Sequence, residues 1–233
     1  MQSRTTVAVL GGTGQEGGGL AFRWALKGHE VIIGSRSADR AAGAAQALNK
    51  LLAGRGSVRG GSHRDAAEAA SVVVLTVPYA AQVATAESVR DLLAGKILID
   101  VTVPLKPPQV DRVQLPDGGS AVVALQRRLG ERVKVVSAFQ NVSATHLKNL
   151  SHEIECDVLV CGDDPASRET VIGLARDAGL RAWHAGRLAN SAAAEALTSV
   201  LISINKRYKV AGAGIRITGM PQIEQRSVPF HRF

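Results

Sequence analysis

Short apolar runs separated by longer stretches of helical spacing set the rhythm of this chain. Runs of four to six residues rich in Val and Ile occur at Val7 to Leu10, Val31 to Gly34, Val72 to Val77, Ile97 to Val101, Val133 to Ala138 and Val158 to Cys161. Arg181 to His184 is a further candidate. β-Branched enrichment without polar alternation marks strands covered on both faces, and hence a parallel sheet. Between the runs lie Ala-rich segments whose apolar residues recur every three or four positions: Leu20 to Lys27, Asp39 to Leu52, Ala80 to Leu93, Ala121 to Leu129 and Pro165 to Ala178. Asp164 before Pro165 supplies an N-cap and a proline at the first helical position. The βαβα alternation predicts an α/β fold built on a doubly wound parallel sheet, with a small C-terminal helical segment.

Two stretches break the alternation. The proline-rich loop Val103 to Ser120 follows the carboxyl end of a predicted strand, where ligands bind in such sheets. After Arg187 the pattern becomes one long helix, Leu188 to Tyr208, followed by a glycine-rich tail of weak pattern ending in RSVPFHRF. This divides the chain into residues 1–186, a nucleotide-binding domain, and 187–233, a helix and tail completing the substrate cleft. Leu188, Ala192, Ala196, Val200 and Ile204, widened by Leu197 and Leu201, form an apolar stripe. It would pack on its own sheet or against a second subunit as a homodimer, and the sequence leaves both open.

The first strand runs into GGTGQEGGG, residues 11–19. Gly12, Gly14 and Gly17 satisfy G-x-G-x-x-G between a strand and a helix, the Rossmann-type dinucleotide fingerprint. The first glycine permits a tight turn, the second admits a pyrophosphate to the backbone, and the third lets helix and strand pack closely. The helix N-terminus offers free N–H groups to the phosphates. A purely structural turn is the plainer alternative.

The end of the second strand then discriminates between nucleotides. An NAD site would place a carboxylate about 20 residues on to hold the ribose hydroxyls, but this chain reads GSRSADR. Ser35, Arg36 and Arg40 suit a 2′-phosphate through charge-assisted hydrogen bonds, which favours NADP(H). Thr76, Val77 and Pro78 close another strand-like run and are placed to line the nicotinamide side of the crevice.

Charge adds a partner class. The formal net charge is +8, yet the basic residues are scattered and only 3% of residues are aromatic, so no stacking surface for nucleic acid emerges. A small anionic coenzyme accounts for the charge, with a merely solvated surface as the alternative. The apolar runs are too short to cross a bilayer and the start, Met1 to Thr6, lacks the layout of a secretory signal, so a cytoplasmic protein without membrane contact is expected. Cys156 and Cys161 stand in an apolar strand-like context without a histidine pair and read as reduced buried thiols, with no metal site.

Taken together, VAVLGGTGQEGGGLAFRWALKGHEVIIGSRS, VVVLTVPY, VVSAFQNVSATHLKNL, CDVLVCGDD and AGAGIRITG resemble the NADPH-dependent reductases of the deazaflavin coenzyme F420 over nearly the whole chain. The resemblance implies reversible hydride transfer between C4 of the nicotinamide and C5 of the deazaflavin. Such chemistry proceeds by stacking, orientation and exclusion of water, with no obligatory catalytic side chain. It also implies NADP contacts at Thr13, Gly14, Gln15, Glu16, Ser35, Arg36, Arg40 and Val77, with Ala144 and Ala213 at further positions lining the cofactor site. One departure stands out. The family has a histidine-containing stretch after VVSA, where this chain has Phe139, Gln140 and Asn141, so one of these amides must orient the acceptor instead, or the acceptor differs. His146 is a candidate to face the cleft. Competing readings are an NADPH-dependent reductase of another flavin, a pterin or a carbonyl compound, and a nonenzymatic NADP-sensing protein.

Overall fold

The computed structural model describes residues 4–220; the first three residues and the closing stretch 221–233, which includes RSVPFHRF, lie outside the described residues. The first half consists of β1 (Thr6–Leu10), α1 (Gln15–Leu26), β2 (Glu30–Ser35), α2 (Ala38–Leu52), β3 (Val58–Ser62), α3 (His63–Ala69), β4 (Val72–Leu75) and α4 (Tyr79–Glu87). There follow β5 (Ile97–Asp100), α5 (Ala121–Leu129), β6 (Lys134–Ser137), β7 (Asp157–Gly162), α6 (Pro165–Asp177), β8 (Arg181–His184) and α7 (Ser191–Tyr208). The eight strands make one sheet in the order β3-β2-β1-β4-β5-β6-β7-β8. All neighbours are parallel except β6 and β7. The expected fold is present, with a correction at one edge, where β7 and β8 both run opposite to the other six strands.

Strand alternation sorts the core into two layers. Val7 and Val9 of β1, Val31 and Ile33 of β2, and Val72 and Val74 of β4 face α1, α2 and α6. Ala8 and Leu10, Ile32, and Val73 and Leu75 point the other way, onto α3, α4 and α5. Both faces are therefore dry, which is why these strands read as unbroken apolar runs.

The pattern gave no warning of β3 and α3. β3 is VRGGS, poor in side chains, because helix α2 lies flat against it: a Cβ on Gly60 would stand 2.4 Å from the Ala41 carbonyl oxygen. Close approach of helix backbone to strand has replaced side-chain packing, and with it the apolar signal. The predicted helix from Ala80 to Leu93 likewise divides into α4 and a short 3₁₀ turn, Arg90–Leu92.

The stripe expected along residues 188–208 packs only in part: Leu188 and Leu201 are buried, but the rest of the packed face of α7 is a different one. The buried side is Ser191, Ala194, Glu195, Ser199 and Leu201, whereas Val200, Ile204 and Tyr208 are exposed to 44%, 37% and 71%. A polar anchor explains the rotation. Glu195, fully buried, accepts hydrogen bonds from Ser120 Oγ and from the backbone N–H groups of Ala121 and Val122, capping α5 from outside its own sequence. Burial raises the Glu195 pKa above the usual carboxylate value.

Beyond α7 the chain returns along β7. Asp157 N–H donates to Ile215 O, and the Asp157 carboxylate accepts from Ile217 N–H, Trp183 Nε1 and both the Nε and Nη2 of Arg181. Cys156 and Cys161 are buried free thiols, both held above the usual thiol pKa by burial. No helix among the described residues is long and apolar enough to cross a membrane.

Candidate functional site

In the strand order β1 stands between β2 and β4, with chain connections leaving in opposite directions, so the loops beyond the carboxyl ends of these three strands part to form a crevice. The crevice is a cavity of about 650 Å³. It is lined from β1 by Gly11, Thr13 and Gly14, from β2 by Ser35, Arg36 and Arg40, and from β4 by Thr76, Val77 and Pro78. Eight of these nine were singled out by sequence, and they converge from three separate segments.

The floor is where backbone meets backbone. Gly11 carries the left-handed conformation of the turn, φ 91°, and a Cβ there would stand 2.7 Å from Thr76 O. The tight turn assigned to Gly12 thus belongs one residue earlier. Gly12 is instead pressed onto Ile33, at 3.0 Å from a hypothetical Cβ. Gly14 is the N-cap of α1, and a Cβ on it would meet only Gly11 O, at 3.4 Å. That residue faces open space with no side-chain cap on the helix, so the first-turn N–H groups are available to an anion. The cradle fits a diphosphate.

The other glycines of the run serve packing. Gly17 abuts the turns leaving β1 and β4, where a Cβ would meet Thr76 Oγ1 and come within 2.9 Å of Gly12 Cα. Gly19 admits the turn 144–148, a Cβ there meeting Leu147 Cβ, and Arg23 fixes the same turn by donating from Nε to Leu147 O at 2.6 Å.

At the β2 end, local hydrogen bonding sets the cationic wall. Ser35 Oγ accepts from Ser37 N–H at 3.3 Å, and Ser37 Oγ caps α2 by accepting from Arg40 N–H. The cap fixes the turn that carries Arg36 and begins the helix that carries Arg40, and both line the cavity with Ser35.

Gly12, Gln15, Glu16 and Gly17 do not line the cavity; they lie behind the turn or in the first helical turn. Glu16 is partly accessible as a residue, but its carboxyl is turned inside: Oε1 is buried without a partner, and burial raises the pKa to about 8. A neutral acid at that helix end opposes no phosphate charge. Ala144 and Ala213 are brought toward each other rather than to the cavity wall. Ser143 Oγ donates to Ala211 O, Gly212 packs on the His146 ring, and Ala213 N–H donates to Asn205 Oδ1. His146 itself stacks on His152 with ring centroids 3.8 Å apart.

Residues 6–104, which contain this crevice, match the family model described as NADP oxidoreductase, coenzyme F420-dependent. The chain is 43% identical over 225 residues to the F420-dependent NADP reductase of Methanothermobacter thermautotrophicus, covering 94% of this chain and 97% of that one. This chain belongs to that family. The Methanocaldococcus jannaschii member is 41% identical over 221 residues, covering 92% and 98% of the two chains. A crystal structure from Arthrobacter sp. FB24, described as a candidate F420-dependent NADP reductase, matches with a TM-score of 0.77 at 27% identity, over 92% of this chain and 99% of that one.

Against the pattern of the F420-dependent NADP reductases, the Phe139-Gln140-Asn141 departure has a structural reading. Phe139 sits in the left-handed region, φ 72°, held by an edge contact with Trp24 and by Val142 N–H donating to its carbonyl. The turn drives the next two side chains inward. Gln140 Nε2 donates to Asp100 O, and Asn141 Nδ2 donates to Asp157 O and Cys156 Sγ. Both residues are buried, so neither amide reaches out to orient an acceptor. The expectation that one of them takes over from a histidine is corrected accordingly.

The sequence reading passed over Ser37, His63 and the α4 wall, Ala81, Ala84, Thr85 and Ser88. Small residues on one face of α4 were a legible signal. His63 was not, since α3 was itself unseen.

Proposed function

We propose that this chain transfers a hydride between NADP(H) and coenzyme F420. The observation that carries the reading is a single crevice joining a Ser-Arg-Arg wall to an uncapped helix end and on to the Thr76–Pro78 turn. On this reading Arg36, Arg40 and Ser35 hold the 2′-phosphate, the first turn of α1 holds the diphosphate, and Thr76, Val77 and Pro78 bound the nicotinamide. The curated relatives named F420-dependent NADP reductase support the choice of acceptor. When bound, the nicotinamide and the deazaflavin supply the hydride chemistry themselves. The chain's residues orient the nucleotide, exclude water over the apolar α4 wall and keep Glu16 neutral beside the phosphates.

Residues 187–233 complete the substrate cleft in this proposal, with the tail drawn against the 143–146 turn. Lys206 and Arg216, candidates to attract an anionic coenzyme tail, pair with Asp111 and Glu155 at the surface. Release of those pairs would accompany docking. The exposed Val200, Ile204 and Tyr208 are offered as a homodimer contact, and a cytoplasmic setting suits a coenzyme-to-coenzyme reaction.

Mixing purified protein with NADPH and F420 tests the reading by the loss of deazaflavin visible absorbance in step with NADPH oxidation. NADPH oxidation with other flavins, pterins or carbonyl compounds and none with F420 would overturn it. Light scattering on the eluting peak, for wild type and Ile204→Glu, tests the dimer.

A further inference from the structure

His63 enters the cavity by topology. β3 pairs with β2 so that Ser62 stands opposite Ser35, which brings the start of α3 beside the turn that follows β2. His63 lines the cavity with Ser35, Arg36 and Arg40, half-buried. Its neighbours are cationic or neutral. The β2 turn and α2 present Arg36 and Arg40, the glycine turn before α1 presents Thr13 and Gly14, and α4 with its C-cap presents Ala81, Ala84, Thr85 and Ser88. On its own helix Arg64 is tied to Asp91, and Asp65 is tied to Ser62 as the helix cap. Among the described residues, no carboxylate lines the cavity. Burial and the Arg36 charge hold the imidazole below its ordinary pKa.

We propose that His63 is a proton-dependent third contact for the ribose 2′-phosphate, so that binding NADP(H) takes up one proton onto the imidazole and binding NAD(H) does not. The proposal rests on the reading of this cavity as the NADP site. A phosphate facing two guanidiniums brings the negative charge that the free cavity lacks, and this raises the imidazole pKa in the complex. Between the free and bound values the proton comes from solvent. Affinity for NADP(H) therefore rises as pH falls toward the free value and levels off below it. The phosphate's own second ionisation, near 6, pulls the other way but is common to wild type and variants.

The test is the Kd of NADP+ and of NAD+ from pH 6 to 8.5 for wild type, His63→Gln and His63→Phe. Calorimetry in buffers of different ionisation enthalpy counts the protons, and melting curves confirm folding. The expected result is NADP+ binding to wild type that tightens about tenfold more, between pH 8.5 and 6.5, than binding to either variant, the scale of one charge-assisted hydrogen bond. NAD+ should bind alike to all three. Identical NADP+ pH profiles in wild type and His63→Gln would overturn the proposal. So would an equal loss for both nucleotides, which would place the ring against the adenine. Arg36→Ala separates the two levels: if it leaves the preference for NADP+ intact, the cavity reading fails; if it removes the preference while His63→Gln changes nothing, only the His63 contact fails.

Discussion

Gly17→Ala tests the joint between the glycine turn and the sheet. The added Cβ would stand 2.3 Å from Thr76 Oγ1 and 2.9 Å from Gly12 Cα, where ordinary contact begins at 3.4 Å. The hydroxyl cannot swing away freely, because it donates to Leu10 O at 3.1 Å. Relief of about 1 Å must come from α1 lifting off β4, and overpacking of this kind costs about 2 kcal/mol. In a chain of this length that lowers Tm by roughly 4–8 °C. The same displacement moves the helix end proposed to hold the diphosphate, so NADPH Kd should weaken about tenfold. Thr76→Ala removes the nearer of the two clashing atoms, and in the double variant the two effects should fall short of their sum by about 1 kcal/mol. Differential scanning calorimetry and NADPH fluorescence titration on all four proteins complete the cycle. Strictly additive changes, or a Gly17→Ala protein with unaltered Tm and Kd, would refute the argument that helix and strand touch here through glycine alone.

Other expectations follow from single groups. Arg36→Asp should weaken NADPH binding by about 2 kcal/mol while leaving NADH binding nearly unchanged, through loss of charge-assisted bonds and added repulsion; titration of both nucleotides checks it, and an undiminished NADPH preference would place the 2′-phosphate elsewhere. Glu16, with its folded pKa raised to about 8, stays protonated where the unfolded chain has already ionised. Its effect on stability is absent at pH values below the ordinary carboxylate range and increasingly unfavourable as pH climbs to about 8. Glu16→Gln should therefore raise Tm at pH 8 and change it little at pH 4, and equal shifts at both would be inconsistent with an inward carboxyl. Arg181→Met strips a bidentate partner from the buried Asp157 carboxylate and should cost about 3 kcal/mol, measured as a lower urea midpoint.

What the sequence disclosed and what it concealed divide along physical lines. β1, β2 and β4 carry apolar side chains on both faces, so their period and composition announce them. The cationic wall of the crevice was legible for a similar reason: Ser35, Arg36 and Arg40 stand at the end of a plainly apolar strand, where their charge and hydroxyl chemistry is conspicuous. β3 was silent because contact with α2 is made by glycine backbone, which leaves no side chain to read. His63 followed it into silence. The apolar stripe of α7 showed only part of its buried face, because the other hold on the protein is a carboxylate reaching another helix's N–H groups, a contact between residues more than seventy positions apart that no local period records. Gln140 and Asn141 looked available until the Phe139 turn showed both side chains buried, with their amide nitrogens bound to main-chain carbonyls.

The bond from Glu195 to the first turn of α5 also bears on how the chain comes apart. A helix terminus in the middle of the sequence is completed by an acid from near the end, and the tail after it is completed in turn by Asp157 and its strand partner. Neither part keeps its polar groups satisfied when the other leaves. Nicking the backbone between residues 186 and 187 would accordingly release no free-standing fragment, and thermal denaturation should proceed as one concerted event rather than two.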